Sequence, residues 1–231
     1  MRILILGNCN LGKALKITLK KEHDVFQYTS VNKIKEINPD IIICSNKAKQ
    51  IIKNCSSETY IIYLSTDKVF NSGTYNFDAI PNPINRYKEK YEEEKIIQTH
   101  EKHLIIRLPF ILEKDLVLEM AKKIKAKKDV TYDNKVLLYP ICIEDVSDLI
   151  NTLISMYVIE KNFYKVIHVR GTDKTTLYQI ALQIASIYKI IINHINSSLN
   201  ETKEPTHIKL SGIVLPTRTR QMLLDFLGVK K

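Results

Sequence analysis

The chain has no tryptophan, 6 glycines, 4 cysteines and 6 arginines in 231 residues. So little glycine, with 7 prolines, excludes a collagen-like or low-complexity chain. Cys9, Cys44, Cys55 and Cys142 form no C-x-x-C and share no metal spacing with the 6 histidines. That argues against a disulfide framework and a metal centre, and for free thiols in a reducing compartment, the cytoplasm. Long hydrophobic runs are also missing. Ile41–Cys44 and residues 136–138 are typical, against the roughly 20 apolar residues of a membrane span, so no membrane is expected as a partner. The opening apolar run stops at Gly7 and reads as a strand, not a signal peptide.

Scarcity of arginine decides how the charge is read. The formal net charge is +10, from 35 Lys+Arg against 25 Asp+Glu. A basic chain invites a nucleic-acid reading. Yet 29 of the cations are lysines, spread along the chain. Nucleic-acid modules lean on arginine, whose planar fork fits phosphate and guanine edges. The lysines rise together with asparagine and with 35 isoleucines, a signature of AT-rich coding. The densest basic stretch, residues 122–128, reads as the solvated side of a helix. Nucleic acid is therefore an unexpected partner.

What the chain does have is 45% hydrophobic and 26% charged residues, enough for one full-size domain with a small appended lobe. Continuous apolar runs at Arg2–Leu6, Ile41–Cys44, residues 60–64 and residues 104–108 read as strands buried on both faces. Asp24–Tyr28 and residues 165–169 are further strands. Helices are expected over residues 11–21, 31–37, 46–54, 87–100, 116–126, 142–157 and 175–188, the last entered through a threonine cap. A final helix, Thr219–Leu227, is closed by Gly228. Strand and helix alternate to about residue 110, which predicts right-handed βαβ crossovers and a doubly wound parallel sheet, a Rossmann-like dinucleotide-binding fold. Residues 1–171 form that domain on this reading, and 172–231 a small C-terminal substrate lobe packed on it. No repeat and no second independent core is legible.

The first strand runs into Gly7-Asn8-Cys9-Asn10-Leu11-Gly12, where such folds place a phosphate loop. The first glycine allows the tight turn. A later one lets the helix approach the strand, and the helix N-terminus faces the pyrophosphate. The middle glycine of the usual motif is missing, and Asn8 and Asn10, which tolerate the left-handed region, are expected to stand in for it. The end of the second strand carries Tyr28, Thr29 and Ser30 and no acid. An acid there would hold a free ribose 2′-hydroxyl, so its absence favours NADP over NAD. Ser45 follows the third strand and joins the expected cofactor set.

The fourth strand ends in Ser65-Thr66-Asp67-Lys68-Val69-Phe70, polar residues at the carboxyl end of a buried strand. Asn82-Pro83-Ile84-Asn85-Arg86-Tyr87 then opens a helix. These segments, with Ile105-Ile106-Arg107-Leu108, Tyr139-Pro140-Ile141, Glu144-Asp145-Val146 and Thr175-Thr176-Leu177-Tyr178, resemble the extended short-chain dehydrogenases of the dTDP-4-dehydrorhamnose reductase type. The resemblance implies an NADPH-dependent reductase of a nucleotide-activated 4-keto-6-deoxy sugar, with a homodimer as its assembly. It gives Thr66 the hydroxyl that orients the carbonyl and Tyr87 the role of acid. A lysine near the tyrosine would hold the nicotinamide ribose and lower the phenol pKa. It also brings Ser65 to the cofactor.

The sequence departs from that family at two points. The usual Tyr-x-x-x-Lys fails at Tyr87, since position 91 is Tyr91. Lys90 lies on the same helix face as Tyr87; alternatively Tyr91 and Lys95 make a complete motif four residues late. The spacing before Tyr87 favours Tyr87 with Lys90. In addition, only 15 residues separate Cys44 from Tyr60, a shorter segment than the family carries. These departures suit a second reading, a non-catalytic dehydrogenase-like regulatory or scaffold subunit, such as the regulatory subunit of methionine adenosyltransferase.

Overall fold

Short isoleucine-rich runs with no polar alternation suit strands covered on both sides, and such strands form the centre of the sheet. The structure, a computed structural model, describes residues 1–76, 78–84, 87–160, 165–191, 193–199 and 208–229. Asn85 and Arg86, part of the segment that leads to Tyr87, lie outside the described residues.

The first half contains β1 (Arg2–Leu6), α1 (Asn10–Leu19), β2 (Asp24–Tyr28), α2 (Lys33–Ile37), β3 (Ile41–Cys44), α3 (Ala48–Asn54), β4 (Tyr60–Thr66), β5 (Gly73–Tyr75), α4 (Tyr87–Gln98) and β6 (His103–Leu108). A 3-10 turn, Asp67–Val69, follows β4. The second half contains α5 (Lys114–Lys125), β7 (Val130–Asp133), α6 (Ile143–Glu160), β8 (Val166–Gly171), α7 (Leu177–Ile187), β9 (Ile195–Ser198), β10 (Ile208–Leu210), β11 (Ile213–Leu215) and α8 (Thr219–Leu227).

Seven strands form one sheet in the order β11-β8-β6-β4-β3-β1-β2, and every pairing in it is parallel. Successive residues divide each run between two faces. Ile3, Ile5, Ile41, Ile43, Ile62 and Leu104 pack under α1 and α6 through Leu15, Leu19, Val146 and Ile150. Leu4, Leu6, Ile42, Ile61 and Ile105 pack on the opposite face under α2, α3 and α4 through Ile34, Ile51 and Ile97. The doubly wound Rossmann-like sheet expected from the sequence is present.

A second core lies apart from the sheet. It joins Val117, Met120 and Ile124 of α5 to Ile180, Ala181 and Ile184 of α7, Met222 and Leu223 of α8, and Ile195 of β9. The sequence reading misses this core because its parts are spread from Leu112 to Leu223 and meet only in the folded chain. The chain also returns from this region to the main sheet, where β11 pairs with β8.

Boundaries shift where local chemistry intervenes. α3 begins at Ala48 because Lys47 takes a left-handed backbone, φ 62 and ψ 29. α7 begins at Leu177 because Thr176 closes a capping box with Gln179, each accepting from the other's backbone N–H at 3.1 Å. Gly228 is left-handed at φ 65, as a C-cap glycine should be. The short strands β5, β7, β9, β10 and β11 carry no legible alternation and are found only in three dimensions. In residues 122–128 the lysines are exposed while Ile124 turns inward.

Candidate active site

Parallel strands bring all their carboxyl ends to one edge, and that edge carries the candidate residues. β1 has β2 on one side and β3 on the other, which makes the crevice beside Gly7 the switch point of the sheet. Gly7 has φ +138, a backbone that side-chain-bearing residues rarely adopt. Its N–H donates to the Tyr28 carbonyl at 2.9 Å, and its own carbonyl accepts from Gln27 Nε2 at 2.9 Å. A Cβ built on Gly7 would meet nothing within 4 Å, so open space lies over the turn. Gly12 is needed for closeness instead: its Cβ would stand 3.1 Å from Gln27 Nε2 and 3.4 Å from the Gly7 carbonyl. Leu11 is buried in the sheet core.

The asparagines do not behave as expected. Neither Asn8 nor Asn10 is left-handed, and the turn makes its positive-φ step only at Gly7. Asn10 is instead the first residue of α1, and its amide donates to Glu113 Oε2 at 2.8 Å. Cys9 caps that helix, its sulfur accepting from Gly12 N–H at 3.4 Å. The positive-φ turn, the open space over it and the absence of an acid at the end of β2 fit a dinucleotide phosphate at this crevice.

A cavity of about 420 Å³ opens beside the ends of β4 and β6, lined by Thr66, Asp67, Lys68, Tyr87, Lys90, Pro109 and Phe110. Thr66, Tyr87 and Lys90, the three residues singled out from the sequence, thus share one pocket. Thr66 is the last residue of β4. Its hydroxyl donates to Asp67 Oδ1 at 3.1 Å and accepts from Lys68 N–H at 3.3 Å. Burial pushes the Asp67 carboxyl up to about 6, against the Thr66 hydroxyl and the nearby Lys68 charge. The Lys68 ammonium stands 5.2 Å from the centre of the Tyr87 ring.

Lys90 follows Tyr87 by one turn of α4. Its ammonium donates to the Ser45 carbonyl and lies 4.3 Å over the ring of Tyr63. Burial lowers its pKa, while the carboxylates of Glu93 and Glu94 and the Cys44 thiol work in the other direction. Glu93 in turn accepts from the Tyr63 hydroxyl at 2.6 Å and from Ala48 N–H at 3.3 Å. Ser45, Lys90, Tyr63 and Glu93 therefore tie the loop after β3 to α4. The rival pair faces elsewhere: Lys95 is bound to Glu92 at 2.7 Å and lies 4.6 Å over the Tyr91 ring, and Tyr91 packs beside Val69 and Phe70.

Beneath the pocket runs a buried polar network. Glu94 and Arg107, 0% and 3% exposed, pair through Nη2–Oε2 at 2.7 Å and Nε–Oε1 at 3.2 Å. Ser65 donates its hydroxyl to Glu94 Oε1 at 2.5 Å, so this hydroxyl faces the helix behind it. Arg107 Nη1 stands 3.0 Å from His168 Nε2, and its guanidinium lies 5.1 Å over the Phe70 ring. An arginine only donates, so Nε2 of His168 is the acceptor and the ring is neutral. Burial first, then the Arg107 charge, depresses His168 to about 4. The network docks α4, and with it Tyr87 and Lys90, against β4 and β6. Sequence reasoning misses Glu94 and His168, although Arg107 inside an apolar strand was a signal: a buried cation must find a partner.

The family described as the RmlD substrate binding domain matches residues 27–209, most of the chain. The chain belongs to this family. Among solved structures, this RmlD-type chain superposes on dTDP-4-dehydrorhamnose reductase from Bacillus anthracis in complex with NADP, with TM-score 0.82 and 21% identity over 99% of both chains. The reductase from Yersinia enterocolitica gives TM-score 0.76 at 18% identity, again over 99% of both. UDP-glucose 4-epimerase from Thermotoga maritima, with UDP-glucose, gives 0.81 at 12% identity over 99% of this chain and 98% of that one. At such identities these likenesses speak for the fold. The chain is also 24% identical over 187 residues to methionine adenosyltransferase 2 subunit beta of Xenopus laevis, covering 72% of this chain and 56% of that protein. It thus spans little more than half the length of that curated relative. Among the described residues no helix is long and apolar enough to cross a membrane, and no cluster of three metal-ligating side chains occurs.

Proposed function

We propose that this RmlD-type chain is an NADPH-dependent reductase of a nucleotide-activated 4-keto-6-deoxy sugar, working in the cytoplasm in deoxysugar precursor synthesis. The observation that carries the reading is the pocket that gathers Thr66, Tyr87 and Lys90 at the carboxyl ends of β4 and β6. Membership of the family and the fold shared with an NADP-bound reductase support it.

The nicotinamide, when bound, supplies the hydride. Gly7, Gly12 and the loop at Ser45 would hold the dinucleotide, with α1 starting beside its phosphates. Tyr87 then gives its phenol proton to the carbonyl oxygen. Lys68, whose ammonium stands 5.2 Å from the centre of the Tyr87 ring, and Lys90 line the same pocket. Thr66 orients the ketone. A hydroxyl has one proton, and that of Thr66 is directed at Asp67. To donate to a substrate oxygen it must turn away, which an uncharged Asp67 makes easier. Residues 172–231 would close the sugar side of the site as a small lobe.

The test is NADPH oxidation followed at 340 nm with dTDP-4-dehydrorhamnose, beside calorimetric titration of NADPH. Turnover lost in Tyr87→Phe with cofactor affinity kept supports the assignment; full activity in that variant refutes it. A second reading, a non-catalytic subunit, draws on the likeness to methionine adenosyltransferase 2 subunit beta and on the Lys90 ammonium being engaged by the Ser45 carbonyl. Cofactor binding without turnover on any 4-keto nucleotide sugar is its expected result.

A further inference from the structure

Resting on the cofactor reading above, we propose that Lys47 recognises the phosphate on the adenosine ribose of NADP(H) and sets the preference for it over NAD(H). The sheet order places β2 and β3 on either side of β1. Lys47 leaves the β3 side, yet its ammonium donates to the carbonyl of Thr29, just past β2, at 2.9 Å. The side chain thus spans the carboxyl end of β1, beside the Gly7 turn, where the adenosine half of a dinucleotide would enter the crevice.

Its position is held from both sides. The backbone of Lys47 is left-handed, φ 62 and ψ 29, uncommon for a residue with a side chain. The next N–H, of Ala48, is fixed by Glu93 Oε1 at 3.3 Å. The charge is also uncommitted: among the described residues Lys47 has no carboxylate in ion-pair contact, and its acceptor is a neutral carbonyl. Lys33, the other cation at this end of β2, is instead occupied by Glu36 at 2.6 Å and lies 5.4 Å from the centre of the Tyr28 ring. A phosphate monoester would offer Lys47 a doubly charged acceptor in place of the Thr29 carbonyl, a stronger, charge-assisted bond. Tyr28, Thr29 and Ser30 set no acid against it.

The experiment titrates the full chain with NADPH and NADH, and with their redox-silent halves 2′-phospho-ADP-ribose and ADP-ribose, following heat or nicotinamide fluorescence. Losing one ammonium–phosphate contact weakens binding by about 10- to 100-fold. Lys47→Gln is therefore expected to lose that much affinity for NADPH and 2′-phospho-ADP-ribose and none for NADH and ADP-ribose. Lys47→Arg, which keeps the charge, should keep the preference. Equal weakening for both pairs overturns the inference and makes Lys47 a loop-holding residue. Unchanged affinities overturn it by placing the phosphate elsewhere, and tighter binding of both pairs overturns it by making the side chain a bar across the crevice. If the unmutated chain binds neither dinucleotide, the cofactor reading itself falls, and this inference with it.

Discussion

Arg107→Met would leave the carboxylate of Glu94 buried with only the Ser65 hydroxyl beside it. Both members of the pair are almost fully buried, at 0% and 3% exposure, and they meet through two hydrogen bonds. Breaking such a pair from one side costs about 3–5 kcal/mol, because the remaining charge has lost its solvation and its partner. For a domain of this size, 1 kcal/mol shifts the melting temperature by about 2–4 °C, so the variant should melt roughly 6–20 °C lower. Glu94→Leu, which leaves the buried Arg107 guanidinium without its carboxylate, should lose stability for the same reason. The double replacement Glu94→Leu with Arg107→Met removes both charges from the interior and should recover most of the loss. The assay is urea unfolding of the four forms as a double-mutant cycle. If the single losses simply add in the double variant, or if Arg107→Met costs less than about 1 kcal/mol, the pair does not hold α4 to the sheet and the argument from burial is wrong.

Tyr87→Phe should abolish NADPH-dependent turnover while leaving thermal stability and cofactor affinity unchanged; Lys95→Ala, whose ammonium is held by Glu92 at the surface, should leave turnover unchanged, and the 340 nm assay compares them. Two buried groups should give opposite pH slopes in urea unfolding. His168 is depressed from 6.5 to about 4 in the folded chain, so the stability it contributes is full above pH 6.5 and is lost as pH falls toward 4; Asp67 is raised from 3.8 to about 6, so its ionisation costs stability as pH rises from 4 through 6, and Asp67→Asn should remove that fall. Gly7→Ala meets no atom within 4 Å but must adopt φ +138, so it should cost about 1–3 kcal/mol through backbone strain alone, measured by thermal melts.

The strands of the main sheet were legible because burial on both faces writes itself as uninterrupted isoleucine, leucine and valine. Arg2–Leu6 and Ile41–Cys44 have the expected bounds, and so does Asp24–Tyr28, a half-buried edge strand of mixed composition. The terminal helix Thr219–Leu227 with its glycine cap was equally clear, since a left-handed cap selects its residue. The short strands of three or four residues were not, because pairing partners and not composition make them strands. The pocket was legible in part: Thr66 and Tyr87 stood out as polar residues at a strand end and a helix start. Asp67 and Lys68 were in view but carried no expected role. Glu94 was hidden in a run of glutamates, where nothing local separates the one that is fully buried from its neighbours.

The sequence by itself determined the layered architecture, through the periods at which apolar residues recur, and the place of the glycine turn after β1, through the few glycines the chain retains. It also left two tyrosine–lysine pairs open on one helix. The tertiary structure brings Tyr87 and Lys90 to the pocket and sets Lys95 against Glu92, because the face of α4 that meets β4 and β6 is chosen by the buried Glu94–Arg107 pair, a contact between residues on different elements. The same holds for Lys47. Its type is ordinary in a lysine-rich chain, and only a parallel sheet that sets β3 and β2 on either side of β1 puts its charge across the crevice. Local periodicity is written along the chain, whereas the pairing of charges depends on distances that folding alone creates.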